Sequence, residues 1–332
     1  MTAAPARAMV KKLVGSVAAS GACAAHVQKI FRSRVNVVYY HFVGGATPYY
    51  DSFYQGTTLQ RLDDDLTVLG EYFEFAPLDR VVAERDTIGA STPLLAVTFD
   101  DGFDLLGNGA ADVLEAHGVS ATSFLITSCI DNANLMWRNK LSVLRSVVGE
   151  TQLVESFNAV VRLRGLGEVG SAAAMMRSSA AWPANQKEDL VDELWSSCGL
   201  KPLAEFLDEH RPYFTTDGIR AWLDRGHTIG LHTRTHPRCD TLDEAAIGRE
   251  IVEPAAELKE TYDLPALSFS YPFGARLSGQ TEEELYHRGV FDAALGIAGC
   301  ARKGSRPYRL ERASGEDGLD FSVFGRTLLG RP

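Results

Sequence analysis

Residues 94–102 read Leu-Leu-Ala-Val-Thr-Phe-Asp-Asp-Gly, an apolar run that ends in two carboxylates and a glycine. A short apolar run closed by turn residues is typical of a buried strand. Adjacent carboxylates at a strand end cannot both face one way along an extended chain, so one can bind a metal while the other stays free as a base. The alternative is an ordinary turn, because Asp and Gly are common turn residues.

Strands and helices alternate on both sides of this stretch. Strands are predicted at 35–43, 94–99, 121–127, 228–232 and 266–271, and helices at 58–73, 110–117, 217–225, 242–262 and 282–289. Repeated β-α units indicate a parallel sheet or barrel. Since functional groups of α/β barrels collect at the C-terminal ends of the strands, polar residues that follow predicted strands are the candidates for a site.

The alternation stops between residues 131 and 213, where helical patterns predominate and no strand is predicted. A connection of this length inside a compact domain is usually functional. We therefore predict a helical cap beside the site. The predicted divisions of the chain are an N-terminal amphipathic helix at 1–34, the first part of the barrel at 35–130, the cap at 131–213 and the second part of the barrel at 214–332.

A second polar cluster, His232-Thr233-Arg234-Thr235-His236, follows the predicted strand at 228–232. Histidines four residues apart lie on one side of a helical turn and can bind one metal ion. Two histidines and one aspartate leave coordination positions open for water and substrate, as catalytic metal sites require. The alternative is a pair of polar loop histidines.

The third cluster, Ser268 to Gly274, ends the strand at 266–271. Pro272 and Gly274 fix a tight loop there, which can aim the backbone N–H of Phe273 at a developing oxyanion. An ordinary strand-ending turn is the alternative. Each cluster is a weak signal alone, but their order and their position after strands agree.

The bulk composition limits the function. The chain has 332 residues and a formal net charge of -10, and such an acidic balance argues against nucleic acid as a partner. None of its five cysteines forms a C-x-x-C pair. A zinc ribbon or a disulfide framework is therefore not expected, and a reducing compartment fits best.

The N-terminal residues 1–34 are basic and contain no acidic residue. Apolar residues at helical spacing predict a retained amphipathic helix, which packs on the domain or makes peripheral contact with a membrane surface. A signal peptide is the alternative. We expect a cytoplasmic protein, and an exported one if residues 1–25 are a signal peptide.

The three motifs together make the chain resemble the polysaccharide deacetylase family, also described as the NodB-homology or carbohydrate esterase family four group. Its motifs T-F-D-D-G, H-[ST]-x-x-H and P-[YF]-G are matched at 98–102, 232–236 and 272–274. The resemblance covers about 35–127 and 214–312. It implies an α/β fold, a distorted (β/α)7-like barrel interrupted by a helical insertion, with one divalent metal ion.

By motif match, the resemblance implies that Asp101, His232 and His236 bind the metal. Asp100 would be the general base, and the N–H of Phe273 would contribute to the oxyanion hole. Zn²⁺ is the expected ion, with Co, Ni, Mn or Fe as alternatives. Such an ion polarises a carbonyl and lowers the pKa of bound water.

The chain departs from the family pattern at two positions. Many members have an arginine that pairs with the base where this chain has Ser270, and Arg312 is our candidate replacement. The family also has a late histidine general acid, but no histidine follows Arg312 here. His41 is the candidate acid, and a packed strand-end histidine is the alternative.

The expected function is removal of an acetyl group from an N- or O-acetylated sugar or glycan precursor in surface polysaccharide or glycoconjugate biosynthesis. The alternatives are a related amide hydrolase acting on a non-acetyl substrate and a non-catalytic glycan-binding barrel. Trp137 and Tyr271 are candidate substrate contacts, although Trp137 could instead pack the cap on the barrel. Aromatic residues available for an exposed sugar-binding rim are Tyr49, Tyr50, Phe53, Trp137 and Trp222.

Overall fold

The fold is taken from a computed structural model, which describes residues 28, 29, 31–50, 56–86, 92–180, 182 and 184–316. The predicted N-terminal helix lies outside the described residues except for its last few positions. Phe53, one of the predicted rim aromatics, also lies outside them.

A sheet of short, mostly parallel strands forms the centre of the molecule. The strands are β1 Arg34–Tyr40, β2 Glu74–Phe75, β3 Leu94–Phe99, β4 Thr122–Leu125, β5 Thr228–Leu231, β6 Ser268–Ser270, β7 Ala293–Gly296, β8 Ala301–Arg302, β9 Leu310–Glu311 and β10 Ala313–Ser314. Their order is β10-β1-β3-β4-β5-β6-β7-β9, with β2 beside β3 and β8 antiparallel to β1. The strands at 35–43 and 121–127 are shorter than predicted.

One segment near the C-terminus joins the two ends of this sheet. Leu310 of β9 pairs with Leu295 of β7, and Ala313 of β10 pairs with Val38 of β1. Arg312 lies between β9 and β10, at the point where the chain passes from one sheet edge to the other. The sheet is therefore a nearly closed barrel, and the predicted fold class is confirmed.

Helices follow the strands around the outside of the barrel. The helices of the barrel are α1 Leu59–Gly70, α2 Leu78–Ala83, α3 Ala110–Ala116, α9 Thr216–Asp224, α10 Glu244–Ile247, α11 Glu253–Thr261 and α12 Gly279–His287, and α4 to α8 belong to the insertion described below. The helix predicted at 242–262 is present from Glu244 to Thr261, with a π-helical turn at Gly248–Val252 between α10 and α11. Among the described residues, none of the helices combines the length and the apolarity that a membrane crossing requires.

Between β4 and β5 the chain leaves the barrel and forms further helices. They are α4 Trp137–Val148, α5 Glu150–Leu163, α6 Ala172–Ala180, α7 Ala184–Ser197 and α8 Leu203–His210. Their apolar faces share one buried cluster with Phe42 after β1 and Phe103 after β3. Because both of those residues follow barrel strands, the helices lie over the C-terminal end of the barrel.

Alternate strand residues face the barrel interior. Val37, Ala96, Phe124 and Leu295 belong to one small buried cluster, which is separate from the cluster beneath the outer helices. Since side chains of a strand alternate between its two faces, the side that carries Ala96 also carries Thr98 and continues to residue 100. The interior thus becomes polar toward the C-terminal end of β3.

The packing of β5 against its neighbouring strands can be tested by a substitution at Gly230. A Cβ at this position would lie 2.4 Å from the Phe124 ring and 2.8 Å from the carbonyl oxygen of Ser268. We expect Gly230→Ala to lower the free energy of unfolding by about 1–3 kcal/mol, because overpacking forces neighbouring atoms apart. Urea denaturation measures the change.

Gly248→Ala is the matched control. Gly248 has helical dihedral angles, and a Cβ added there would meet nothing within 4 Å apart from its chain neighbours and the backbone of its own helix. This substitution should be neutral or stabilise by about 0.4–1 kcal/mol, through the unfolded chain. Equal effects of the two substitutions would show that β5 is not packed as described.

Candidate active site

Three metal-ligating side chains converge at the C-terminal end of the barrel. Asp101 follows β3, and His232 and His236 follow β5. The Oδ1 atom of Asp101 lies 3.5 Å from Nε2 of His232 and 3.4 Å from Nε2 of His236. All three side chains are buried, and their ligand atoms lie within 4.8 Å of one another.

This spacing fits a divalent cation. Two ligand atoms held about 2.1 Å from one tetrahedral ion are about 3.4 Å apart. Oδ1 of Asp101 is buried without a hydrogen-bond partner among the described residues. Nδ1 of His232 lies 2.8 Å from the carbonyl oxygen of Ser270. A carbonyl only accepts, so Nδ1 carries the proton and the lone pair of Nε2 faces Asp101.

Burial shifts the pKa of each of these groups away from its ordinary value. It raises the pKa of the Asp101 carboxyl to about 7 and lowers the pKa of His232 to about 4. The pKa of His236 also lies well below its usual value, for the same reason. Neutral imidazole is the form of histidine that binds metals, so the histidines are held ready to act as ligands.

The backbone between the two histidines is a loop and not the helical turn expected from their spacing. Thr233 and His236 have φ values of 65° and 61°, in the left-handed region. The N–H of His236 donates to Oγ1 of Thr233 at 2.9 Å, which closes the loop. Asp101 and Phe273, with φ of 72° and 59°, are left-handed as well. Such strained positions cluster at functional sites.

Glu250 holds this loop in place, and sequence reasoning missed it. One carboxylate oxygen accepts the backbone N–H groups of Arg234 and Thr235 at 3.1 and 2.9 Å. The other accepts the Thr235 hydroxyl at 2.8 Å. Glu250 lies in the π-helical turn, a feature often found at functional sites. Helical periodicity in the sequence does not reveal such a turn.

Asp100 forms a buried bidentate ion pair with Arg312. The two guanidinium nitrogens lie 2.7 and 2.8 Å from the two carboxylate oxygens. Arg312 also donates to the hydroxyls of Thr98 at 3.2 Å and Ser270 at 2.6 Å. Burial alone would raise the pKa of the Asp100 carboxyl, but Arg312 holds it well below its usual range.

Ser270, at the sequence position where the family resemblance predicts an arginine, contacts this pair. Its hydroxyl accepts from Arg312 and lies 3.4 Å from Asp100. The guanidinium group comes instead from the segment that closes the barrel. The structure thus brings the predicted replacement, Arg312, into contact with the predicted base.

His41 lies at the end of β1 and pairs with Glu316. Its Nδ1 is 3.0 Å from one carboxylate oxygen, and its backbone N–H donates to the other at 2.8 Å. Burial lowers the pKa of His41, but the Glu316 carboxylate outweighs this effect and raises it to about 9. The His41 ring is 26% exposed, so it can reach solvent or a substrate. Spacing in the sequence could not identify Glu316 as the partner of His41, because the two residues are 275 positions apart in the chain.

Phe273 forms the wall beside His236. Residues Pro272–Gly274 make one 3-10 turn, in which the left-handed backbone of Phe273 reverses the chain. Its ring centroid lies 4.8 Å from that of His236. The predicted oxyanion donor and a predicted metal ligand are therefore immediate neighbours.

The predicted aromatic sugar contacts are not exposed. Trp137 and Tyr271 are both 0% exposed, so neither presents a ring face to a substrate. Trp137 packs the insertion on the barrel, as its alternative interpretation states, and its Nε1 donates to the carbonyl of His236 at 3.4 Å. The predicted rim is also wrong at its other described positions, since all of them are buried: Tyr49, Tyr50 and Trp222.

Fold and site together define a deacetylase-type barrel. Residues 176–286 match the family model of polysaccharide deacetylases, and the resemblance predicted from the three motifs is confirmed. The match includes His232, His236 and the Pro272–Gly274 turn. It also begins within the insertion, at α6, which the predicted resemblance left out.

Solved deacetylase structures share the fold. The deacetylase PplD of Streptococcus pyogenes, solved in complex with acetate, is 13% identical with a TM-score of 0.57, over 89% of this chain and 98% of that one. IcaB from Ammonifex degensii is 17% identical with a TM-score of 0.53, over 89% of this chain and 97% of that one. No curated protein matches the chain.

The Asp100–Arg312 pair gives the first prediction from the site. Arg312→Gln leaves a buried carboxylate without its cation, and we expect the metal-free protein to lose about 3–5 kcal/mol of unfolding free energy near neutral pH. Adding Asp100→Asn should restore part of this loss. Urea denaturation of the four proteins of this double-mutant cycle, with chelator present, measures the coupling.

The unfolding free energy lost in Arg312→Gln should depend on pH. In the wild type, the lowered pKa of Asp100 contributes stability that is complete above about pH 4 and is lost as pH falls through the folded-state value. In Arg312→Gln the pKa of Asp100 rises, so mild acid protonates it and relieves the unpaired charge. The difference between wild type and variant should shrink below neutral pH. A difference in unfolding free energy that does not change with pH would contradict the Asp100–Arg312 ion pair. Strictly additive effects of the two substitutions would contradict it as well.

Glu250 gives a second prediction. Glu250→Ala removes the acceptor of the Thr235 N–H and hydroxyl and one of the two acceptors of the Arg234 N–H, which also donates to the Glu250 carbonyl, so the loop loses its fixed shape. We expect metal affinity to fall about 10- to 100-fold, as for other groups that orient ligands. Glu250→Gln retains an acceptor oxygen and should lose less. Competition with a chromophoric chelator measures the metal affinity of both variants.

Glu253→Ala is the control, because Glu253 is exposed and its carboxylate reaches the loop only through the side chain of Arg234, at 3.5 Å, among the described residues. It should leave metal affinity unchanged. Equal affinities for Glu250→Ala and the wild type would show that the loop does not depend on this carboxylate.

Proposed function

We propose that the chain is a metal-dependent hydrolase that removes an acetyl group from an N- or O-acetylated sugar. The convergence of Asp101, His232 and His236 beside the Asp100–Arg312 pair is the observation that carries the proposal. A bound divalent cation supplies Lewis-acid polarisation of the acetyl carbonyl and makes water more acidic. The family match supports the acetylated carbohydrate as substrate class.

Asp100 is the proposed base. Its carboxylate is ionised at every working pH, because Arg312 lowers its pKa. Oδ2 accepts from both Arg312 and the Ser270 hydroxyl, whereas Oδ1 accepts one guanidinium N–H and retains a second lone pair, which can take a proton from the attacking water. Arg312 also orients the carboxylate, since a bidentate pair fixes its plane.

The Phe273 N–H is the proposed donor to the developing oxyanion. Left-handed backbone at Phe273 places this turn beside His236, so a carbonyl near the ligands lies within reach of the turn. A backbone donor in a buried site needs no reorganisation during the reaction.

His41 is the proposed general acid for the leaving group. Glu316 keeps its ring protonated near neutral pH, because the carboxylate raises the pKa of His41 to about 9. With Nδ1 held by Glu316, the other ring nitrogen is available to donate. We place the reaction in the synthesis of a surface polysaccharide or glycoconjugate, where acetylated sugars are precursors.

Two substitutions separate metal binding from proton transfer. His236→Ala removes one of three ligands, so bound metal and acetate release should be lost together. Asp100→Asn should keep the metal and lose about 10²- to 10⁴-fold in rate, the usual contribution of a general base. Elemental analysis of the purified variants and acetate release from an acetylated sugar panel measure the two properties.

His287→Ala is the control, because this histidine is exposed on α12 and away from the cluster. It should retain both metal and rate. Stoichiometric metal in His236→Ala would disprove the ligand set, and an unchanged rate in Asp100→Asn would disprove the base. Unfolding curves establish that each variant is folded.

A further inference from the structure

The hydrogen bonds of the Arg312 guanidinium group lie along its edge, because its donors all lie in one plane. Its N–H groups donate to the carboxylate of Asp100, the hydroxyls of Thr98 and Ser270, and the carbonyl oxygen of Gly296 at 3.3 Å. These bonds fix the direction in which the group points. The rest of its surface is held by packing.

Aromatic rings supply this packing. The guanidinium carbon of Arg312 lies over two rings, 4.8 Å from the centroid of Tyr39 and 5.3 Å from that of Phe124. The negative face of an aromatic ring attracts a cation at such distances, and most strongly where water is excluded. Arg312 is 0% exposed, so this condition is met. Phe124 is fully buried in the barrel, whereas Tyr39 is half-buried near the C-terminal end of β1.

Tyr39 is itself fixed by the strands that carry the site. In β1 it pairs in register with Thr98 of β3, two residues before the proposed base, and with Ser314 of β10, two residues after Arg312. Its carbonyl oxygen accepts the N–H of Gly315 at 2.9 Å, and the side chain of Ser314 hydrogen-bonds to its hydroxyl. The ring therefore keeps one position relative to both partners of the ion pair.

The same ring also borders the proposed acid. Its centroid is 5.6 Å from that of the His41 ring, and the two ring planes are 85° apart. Burial raises the pKa of the Tyr39 hydroxyl to about 12, so the phenol stays neutral. Tyr39 thus contacts both Arg312 and His41 and adds no charge of its own.

We propose that Tyr39 is a positioning residue: its ring holds the Arg312 guanidinium group, and through it the Asp100 carboxylate, in place beside the acid. This inference rests on the proposed function. A general base must lie within hydrogen-bond reach of the proton that it takes, so a small displacement of Asp100 lowers the rate. The ring has this role and not the hydroxyl, because the attraction comes from the π system.

Two substitutions at Tyr39 separate the ring from the hydroxyl. Tyr39→Leu removes the π face, and kcat for acetate release should fall at least about tenfold, which is part of the contribution of a general base. KM should change by less than about threefold and bound metal should stay the same, because the contact serves the transition state. Tyr39→Phe keeps the ring and should retain kcat within about threefold.

Tyr286→Leu is the matched control. Tyr286 is also half-buried, and its ring lies 5.5 Å from that of His287, but it belongs to α12 outside the barrel. This substitution should leave kcat and KM unchanged. A kcat in Tyr39→Leu equal to that of the wild type overturns the proposal. Equal losses in Tyr39→Leu and Tyr39→Phe overturn it as well, since they would assign the effect to the hydroxyl.

Urea denaturation with chelator present tests the contact without any reaction. Tyr39→Leu should lower the folding equilibrium constant about 5- to 30-fold more in the wild type than in Asp100→Asn/Arg312→Gln, which lacks both buried charges. Equal effects in the two backgrounds overturn the proposal. If the wild type releases acetate from no acetylated sugar, the deacetylase proposal fails, and this coupling still decides whether the Tyr39 ring holds Arg312.

Discussion

The buried ion pair between Asp100 and Arg312 ties the closure of the barrel to the geometry of the site. Arg312 lies between β9, which pairs with β7, and β10, which pairs with β1. Two charges in the interior are tolerated only when the geometry is good and the remaining donors are satisfied. The hydroxyls of Thr98 and Ser270 meet that condition, so β3, β6 and the closing segment must hold one fixed arrangement. A displaced closing segment would leave a charge unpaired next to the candidate metal ligands.

Much of this architecture could be predicted from the sequence where a motif follows a strand. Asp101, His232 and Phe273 lie far apart in the chain, but each follows a parallel strand, and such ends meet at one side of a barrel. The closing segment was missed because strands of two residues carry no periodicity. The pairing of Arg312 with Asp100 came from the family resemblance, since no spacing rule connects residues 212 positions apart.

Other features depend on tertiary structure and could not be predicted. The left-handed backbone at Thr233 and His236 replaces the helical turn that the spacing suggested, because the loop is shaped by contacts with Glu250 in a distant π turn. Trp137 was proposed as a sugar contact on composition, but its side chain is buried against the carbonyl of His236. Large aromatic residues gain most from burial, and this outweighed the exposed role.

The charged groups at this end of the barrel compensate one another in pairs. Asp100 is compensated by Arg312, and Glu316 by His41, so these two barrel pairs add little net field toward a substrate. Asp101 is compensated when a cation binds. These two pairs of the site are therefore formed without any residue of the insertion, which packs beside His236 through Trp137.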